Sequence, residues 1–148
     1  MTHAIRFAAT GGPEVLQWQE VALAAPGAGE VQVRHGAIGL NYIDTYHRKG
    51  MYPLPLPSSL GSEAAGVVEA VGAGVTGFKP GDRVAYGTGP IGAYAETRVM
   101  PAAVLLKLPS AIPDRVAAAM MLKGLTARYL LRACFRVEHG MTVLFHAA

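Results

Sequence analysis

Turns constrain this chain before anything else does: 18 glycines and 10 prolines fall among its 148 residues, well above the roughly 12% that the two types contribute to an average protein. Glycine opens positive φ and proline fixes φ near −65°, so each cluster of them ends one element and re-aims the next. A chain interrupted this often is built mainly from short strands joined by tight turns. The strands show in the alternation of apolar and polar residues. Val31 and Val33 alternate with Gln32 and Arg34, and Leu16 and Trp18 alternate with Gln17 and Gln19, which predicts two half-buried strands. The stretch 64–71 is small and β-branched and stops at Gly72-Ala73-Gly74. Lys79-Pro80-Gly81-Asp82 matches a type II turn, with a strand expected from Arg83 onward.

The last third changes character. Asp114 is placed to cap a helix through Val116, Ala117, Ala118, Ala119 and Met120. A second helix is expected after Gly124, capped by Thr126, with Ala127, Leu130, Leu131 and Cys134 forming one apolar face. The run 142–145 then reads as a short buried strand, and the chain ends directly after it at His146-Ala147-Ala148. Such an ending gives the expectation that these residues are the front part of a longer protein.

Composition excludes several classes. Half the residues (51%) are hydrophobic and 16% are charged, so the chain folds rather than remaining disordered. The net charge of +3 is scattered, unlike the clustered basic stripe of a nucleic-acid groove. The single cysteine, Cys134, allows no intramolecular disulfide and no thiolate metal cage. The uncharged run 50–62 is broken by Pro53, Pro55 and Pro57, so no membrane span is expected. No secretory signal is read at the N-terminus, and a cytoplasmic location is the expectation. The histidines at 3, 35, 47, 139 and 146 lack H-x-H or H-x-x-x-H spacing, and no metal site is expected.

A series of short motifs carries more information than any one of them: Gly11-Gly12-Pro13-Glu14-Val15-Leu16, Asn41-Tyr42-Ile43-Asp44-Thr45-Tyr46 and Gly61-Ser62-Glu63-Ala64-Ala65-Gly66-Val67-Val68. Further along come Val71-Gly72, Gly81-Asp82-Arg83-Val84, Gly92-Ala93-Tyr94-Ala95-Glu96 and Leu122-Lys123-Gly124-Leu125-Thr126. In order and spacing they resemble the quinone oxidoreductase branch of the medium-chain dehydrogenase/reductase superfamily, the branch that includes zeta-crystallin. The resemblance implies an α+β chain, mostly β: a GroES-like β-barrel catalytic domain over 1–122, then over 123–148 the connecting helix and first strand of a truncated Rossmann domain. It also implies an NADPH-dependent reductase, a quinone substrate in the cleft between domains, and a homodimer when full length.

Zinc-dependent relatives hold a catalytic metal with Cys, His and Cys, and the matching positions here resemble Asn41, Ser62 and Leu122, none a good zinc ligand. Without a metal the site must meet a weaker base than an alkoxide. Reducing a quinone yields a phenolate-like anion, whose conjugate acid has a pKa near that of tyrosine, about 10, and hydrogen-bond donors can stabilise it. Tyr52 is the candidate for contact with the quinone, and Asn41 for a hydrogen bond at the reacting centre. The resemblance lays Tyr42, Ile43, Asp44, Thr45 and Tyr46 along the cofactor, Asp44 near the nicotinamide ribose, and adds Lys123, Thr126 and Tyr129 as cofactor contacts.

Plainer readings of the same residues stand beside these. Tyr42 and Tyr46 are spaced as an aromatic packing pair on a helix, Asp44 and Arg48 as an exposed ion pair, and Tyr129 as a surface tyrosine. Lys123, after three apolar residues, is either a site residue or a lysine snorkelling to solvent. Gly61, Gly66, Gly72 and Gly81 are read as structural, and Glu63 as a partly buried, hydrogen-bonded carboxylate with a structural or supporting role at the site. Cys134 is read as an inert core thiol. Two other functions compete with quinone reduction: an enoyl reductase acting on an activated C=C bond, and a non-catalytic GroES-like interaction module.

Overall fold

The computed structural model describes residues 1–146. Eight strands alternate with turns: β1 (Thr2–Phe7), β2 (Gln17–Val21), β3 (Glu30–Gly39), β4 (Ser58–Ser59), β5 (Glu63–Val71), β6 (Arg83–Tyr86), β7 (Thr97–Pro101) and β8 (Leu106–Lys107). They form a three-stranded sheet in the order β2-β1-β4 and a five-stranded sheet in the order β7-β3-β5-β6-β8. All pairings are antiparallel. One isolated bridge, Ala4 to Ala95, links β1 to the segment before β7. The helix α1 (Tyr42–Lys49) follows β3, and α2 (Asp114–Arg128) follows the last strand.

The alternation predicted around Val31 and Val33 is real: both are fully buried in β3 and pack with Val68, Val84, Tyr86 and Met100. Strand β5 is buried on both faces at its start, because α2 covers the side opposite this core. Ala65 and Ala85 on the sheet meet Ala117 and Ala118 on the helix. Four small side chains at that contact let helix and sheet approach closely, which fixes the height of α2 over β5. The turn at Gly81 also forms as predicted, with φ of +91° and the Asp82 N–H donating to the Lys79 carbonyl at 3.1 Å.

Arg83, the first residue after that turn, holds the approach to α2. Its guanidinium donates to the carbonyls of Pro109, Ser110 and Ile112 at 3.2, 3.3 and 2.7 Å, and to Asp114 Oδ1. Asp114 is therefore the first helical residue and Arg83's partner, not the cap; Pro113 stands at the cap position. A lysine cannot reproduce this fork of donors. Arg83→Lys is expected to lower stability by about 1–2 kcal/mol, measured as a shift in the urea midpoint, with no change expected from Arg136→Lys on the exposed C-terminal stretch.

Other expectations are corrected. The helix does not restart after Gly124: α2 runs through it and continues as a π-helical stretch, Tyr129–Cys134. Thr126 is not a cap, since its hydroxyl donates back to the Leu122 carbonyl one turn earlier at 2.8 Å. A single glycine inside a helix costs only about 1 kcal/mol relative to alanine, too little to end one that is otherwise well supported. Cys134 is exposed rather than in a core, and Leu130 and Leu131 are 53% and 42% exposed. The run 142–145 forms no strand, and Leu144 and Phe145 stand largely in solvent. Among the described residues no strand pairs with it, and a lone strand cannot satisfy its own backbone. Ala147 and Ala148, read above as the start of a glycine-rich turn, lie outside the described residues. Strand β2 is present but not half-buried: it is an edge strand, and Trp18 is 56% exposed with its ring stacked 5.2 Å from that of His3.

Candidate functional site

The site grows from the junction of β3 and α1. Asn41 leaves the sheet in an extended conformation, caps α1 and is buried. Its backbone N–H donates to Asp44 Oδ2 at 3.0 Å, while the Asp44 N–H returns to the Asn41 carbonyl at 3.0 Å. This closed loop over the first turn satisfies donors that a helix start otherwise leaves open, and it places a carboxylate at the positive end of the helix dipole. Asp44 is 3% exposed and makes no ion pair with Arg48, whose Nε donates to the Gly11 carbonyl instead. The Tyr94 hydroxyl donates to the same Asp44 oxygen at 2.9 Å. Burial, reinforced by this carboxylate, raises the Tyr94 pKa well above its ordinary value. Asp44 Oδ1 and His47 Nδ1 are buried without a hydrogen-bond partner among the described residues.

On the other side of Asn41 lies a buried charge. Glu63 is fully buried at the start of β5. Its Oε1 accepts the Leu122 N–H at 2.9 Å, and its Oε2 accepts from Asn41 Nδ2 at 2.7 Å and from the Lys123 ammonium at 3.0 Å. Lys123 donates in addition to Asn41 Oδ1 at 2.8 Å and to the Leu40 carbonyl at 3.2 Å. Its side chain is half exposed. Lys123 thus reaches solvent, as the snorkelling reading expects, while its ammonium ties Asn41 to Glu63. A buried carboxylate is tolerable only when paired and hydrogen-bonded, and Glu63 meets both conditions.

Along α1 and just past its end, aromatic rings form a short ladder. Tyr42 meets Tyr46 edge-to-face at 5.1 Å, and Tyr46 meets Tyr52 edge-to-face at 5.5 Å. His47 lies 6.1 Å from the Tyr52 ring. The predicted packing pair therefore exists and extends by one ring, while Tyr42 and Tyr52 remain largely exposed. Ile43 and Thr45 are partly buried, and the Thr45 hydroxyl donates to the Tyr42 carbonyl. Thr126 and Tyr129 follow Lys123 along α2 and its extension and are exposed. Neither joins the hydrogen bonds around Asn41.

Two open spaces flank the end of β3. A groove of about 450 Å³ is lined by Ile38, Leu40, Arg115, Ala118 and Lys123. A larger one of about 800 Å³ lies toward Ile5, Trp18, His35 and Tyr94; the smaller is the one that touches the charged cluster. No group of three metal-ligating side chains occurs among the described residues. Of the residues singled out in the sequence, Asn41 and Lys123 meet in this cluster and the tyrosines pack beside one another; Tyr94 and His47 were not singled out for the site, and Glu63, expected partly buried in a supporting role, is fully buried. The position of Glu63 between Ser62 and Ala64 was the available signal for its burial; nothing in the sequence pointed Tyr94 at Asp44.

This framework of antiparallel sheets with helices at the strand ends is that of a GroES-like domain, and residues 27–110 match the alcohol dehydrogenase GroES-like domain. The chain belongs to that family, within the medium-chain dehydrogenase/reductase superfamily. The relatives it is similar to include several quinone oxidoreductases. It is 59% identical to a quinone oxidoreductase of Pseudomonas aeruginosa over 100% of its own length and 46% of the relative's. It superposes on the Escherichia coli quinone oxidoreductase complexed with NADPH with a TM-score of 0.90 at 50% identity, covering 92% of this chain and 42% of that one. It is also 48% identical to a 2-haloacrylate reductase of Burkholderia, over 93% of this chain and 43% of that protein. The chain spans about half the length of the curated relatives it matches. No helix among the described residues is long and apolar enough to cross a membrane.

Proposed function

We propose that the protein carrying this chain is a zinc-independent NADPH:quinone oxidoreductase. In this reading residues 1–122 form the catalytic domain and 123–148 begin the nucleotide-binding one, and the active protein is a cytoplasmic homodimer. The observation that carries the reading is an aromatic ladder, Tyr42, Tyr46 and Tyr52, that runs along α1 from the residue next to Asn41, whose amide is held by the buried Glu63 and the half-exposed Lys123. Flat rings offer faces and edges to a flat substrate, and the cluster offers a fixed amide and a cation.

The residues fit a nicotinamide cofactor. Asp44 Oδ1 is a buried acceptor without a partner, suited to a ribose hydroxyl, and Tyr42 and Tyr129 are exposed beside it and along α2. NADPH, when bound, supplies the reducing equivalents. In this reading Tyr42, Ile43, Asp44, Thr45 and Tyr46 lie along its nicotinamide end, and Thr126 and Tyr129 contact it from α2. Lys123 has three ammonium hydrogens and three acceptors, so it acts through its positive field rather than by a new hydrogen bond. Tyr52 donates to the quinone oxygen as negative charge develops there, and Asn41 hydrogen-bonds near the reacting carbonyl. Both stabilise a phenolate-like product without a Lewis acid.

The test is turnover by the natural full-length gene product with NADPH and 1,4-benzoquinone, set against an enoyl thioester, with zinc measured in the same preparation. Quinone turnover without stoichiometric zinc supports the reading. Faster reduction of the thioester would favour the enoyl reductase reading, which the similarity to a 2-haloacrylate reductase keeps in view. Inertness toward both would leave the interaction module. Within the quinone reading, Tyr52→Phe is expected to lower kcat roughly 100-fold, the scale of losing one aligned donor to an oxyanion, while leaving the Kd for NADPH within about twofold.

A further inference from the structure

The orientation of the Asn41 amide is dictated from both sides. Glu63 Oε2 can only accept, so the atom 2.7 Å from it is Nδ2. The Lys123 ammonium can only donate, so the atom 2.8 Å from it is Oδ1. A flip of this amide would set two donors face to face on one side and two acceptors on the other. The carboxylate completes a triangle by also holding Lys123 at 3.0 Å. It anchors the third element as well, through the Leu122 N–H of α2 at 2.9 Å. One Nδ2 hydrogen of Asn41 is left outside this triangle.

We propose that Glu63 is a positioning residue for the reduction: its buried carboxylate locks the Asn41 amide, directly and through Lys123, so that one N–H is presented in a single orientation. The proposal rests on the reading of Asn41 given above and adds the residue that makes its geometry unique. It also separates the two charged members of the cluster by role. Glu63 has no exposed surface and cannot touch a ligand, whereas Lys123 and Asn41 are its only side-chain partners among the described residues.

A double-mutant cycle on the full-length enzyme tests this, since residues acting as one unit are non-additive. Glu63→Gln replaces one acceptor oxygen by a donor and leaves the size unchanged. In the Asn41 background it is expected to lower kcat about 10-fold or more with the KM for NADPH changed less than threefold. In an Asn41→Ala background the same change is expected to move kcat less than twofold. Equal losses in both backgrounds, or no loss in a folded Glu63→Gln enzyme, would overturn the proposal. A second readout needs no turnover: in ¹H–¹⁵N NMR spectra of the wild-type protein the Asn41 side-chain amide should exchange slowly with solvent, and in Glu63→Gln rapidly. Should Glu63→Gln fail to fold, a fast-exchanging Asn41 amide in the wild type would still overturn the lock. A wild-type enzyme with a protected amide but no quinone turnover would instead count against the functional reading alone.

Discussion

Alanine at Gly66 is expected to unfold the domain more readily than alanine at Gly81, a turn glycine of positive φ with open space beside it. Gly66 lies in β5 opposite His35, at the point where β3 bulges between His35 and Ala37. The bulge pushes the β3 backbone toward β5. A Cβ on residue 66 would overlap the Arg34 carbonyl oxygen and stand 2.9 Å from His35 Cα. Both obstacles are main chain within the largest sheet, so neither can swing aside as a side-chain tip would. The sheet must open or the bulge must move, and overpacking of this kind costs about 3 kcal/mol, a large share of the roughly 5–15 kcal/mol that holds a domain together. Gly81 makes the control. Its φ of +91° disfavours any other residue, but nothing lies within 4 Å of its would-be Cβ, so Gly81→Ala is expected to cost only about 1–2 kcal/mol. Urea midpoints of the two variants check the ranking; equal losses would show that the bulge yields.

Acid weakens the same strand by a different route. His35 projects from β3 toward the segment leading to β7. Its Nδ1–H donates to the Ala95 carbonyl at 2.6 Å, and its Nε2 accepts from the Tyr86 hydroxyl at 2.8 Å. Burial lowers its pKa from 6.5 to about 4, outweighing the Ala95 bond, and the Arg98 guanidinium adds to the shift. Arg98 lies 5.9 Å over the Tyr86 ring. Because the folded pKa lies below the unfolded one, the unfolded chain takes up the proton first. The stabilising contribution is therefore whole above about pH 6.5, declines as pH falls toward 4 and is flat below it. Between pH 7 and 5 it amounts to about 2 kcal/mol. Other groups titrate across this window, so the measurement is a difference. The wild type should lose about 2 kcal/mol more between pH 7 and 5 than His35→Gln, which cannot take up a proton there; parallel losses would refute the assignment.

Legibility in the sequence followed physical range. Turns and strands decided by a few adjacent residues were readable: the Lys79–Asp82 turn, the β3 alternation and the small-residue run of β5 all appear where the local pattern places them. What local pattern cannot show is which surface comes to cover an element. Trp18 alternates with glutamines as a half-buried residue would, yet β2 lies at a sheet edge with four of its five residues exposed. The run 142–145 has the composition of a buried strand and no strand beside it among the described residues. Gly124 looked like a boundary, and the helix on either side overrode it. At the candidate site, residues close in sequence were recognised together, from Asn41 to Tyr52. Glu63, Tyr94 and Lys123 join them only through contacts 22 to 83 positions apart, and no periodicity records those.

The unbroken course of α2 has a bearing on how chains of this kind can be recombined. The Leu122–Lys123 bond, where one domain passes to the next on the proposed boundary, lies inside a continuous helix and next to an ammonium that holds two other elements. Each residue added to or removed from a helix turns everything beyond it by about 100°. A chimera spliced there would therefore keep its register only if both parents match in helix length to the residue. Crossovers placed in the turn before Asp114 carry no such requirement.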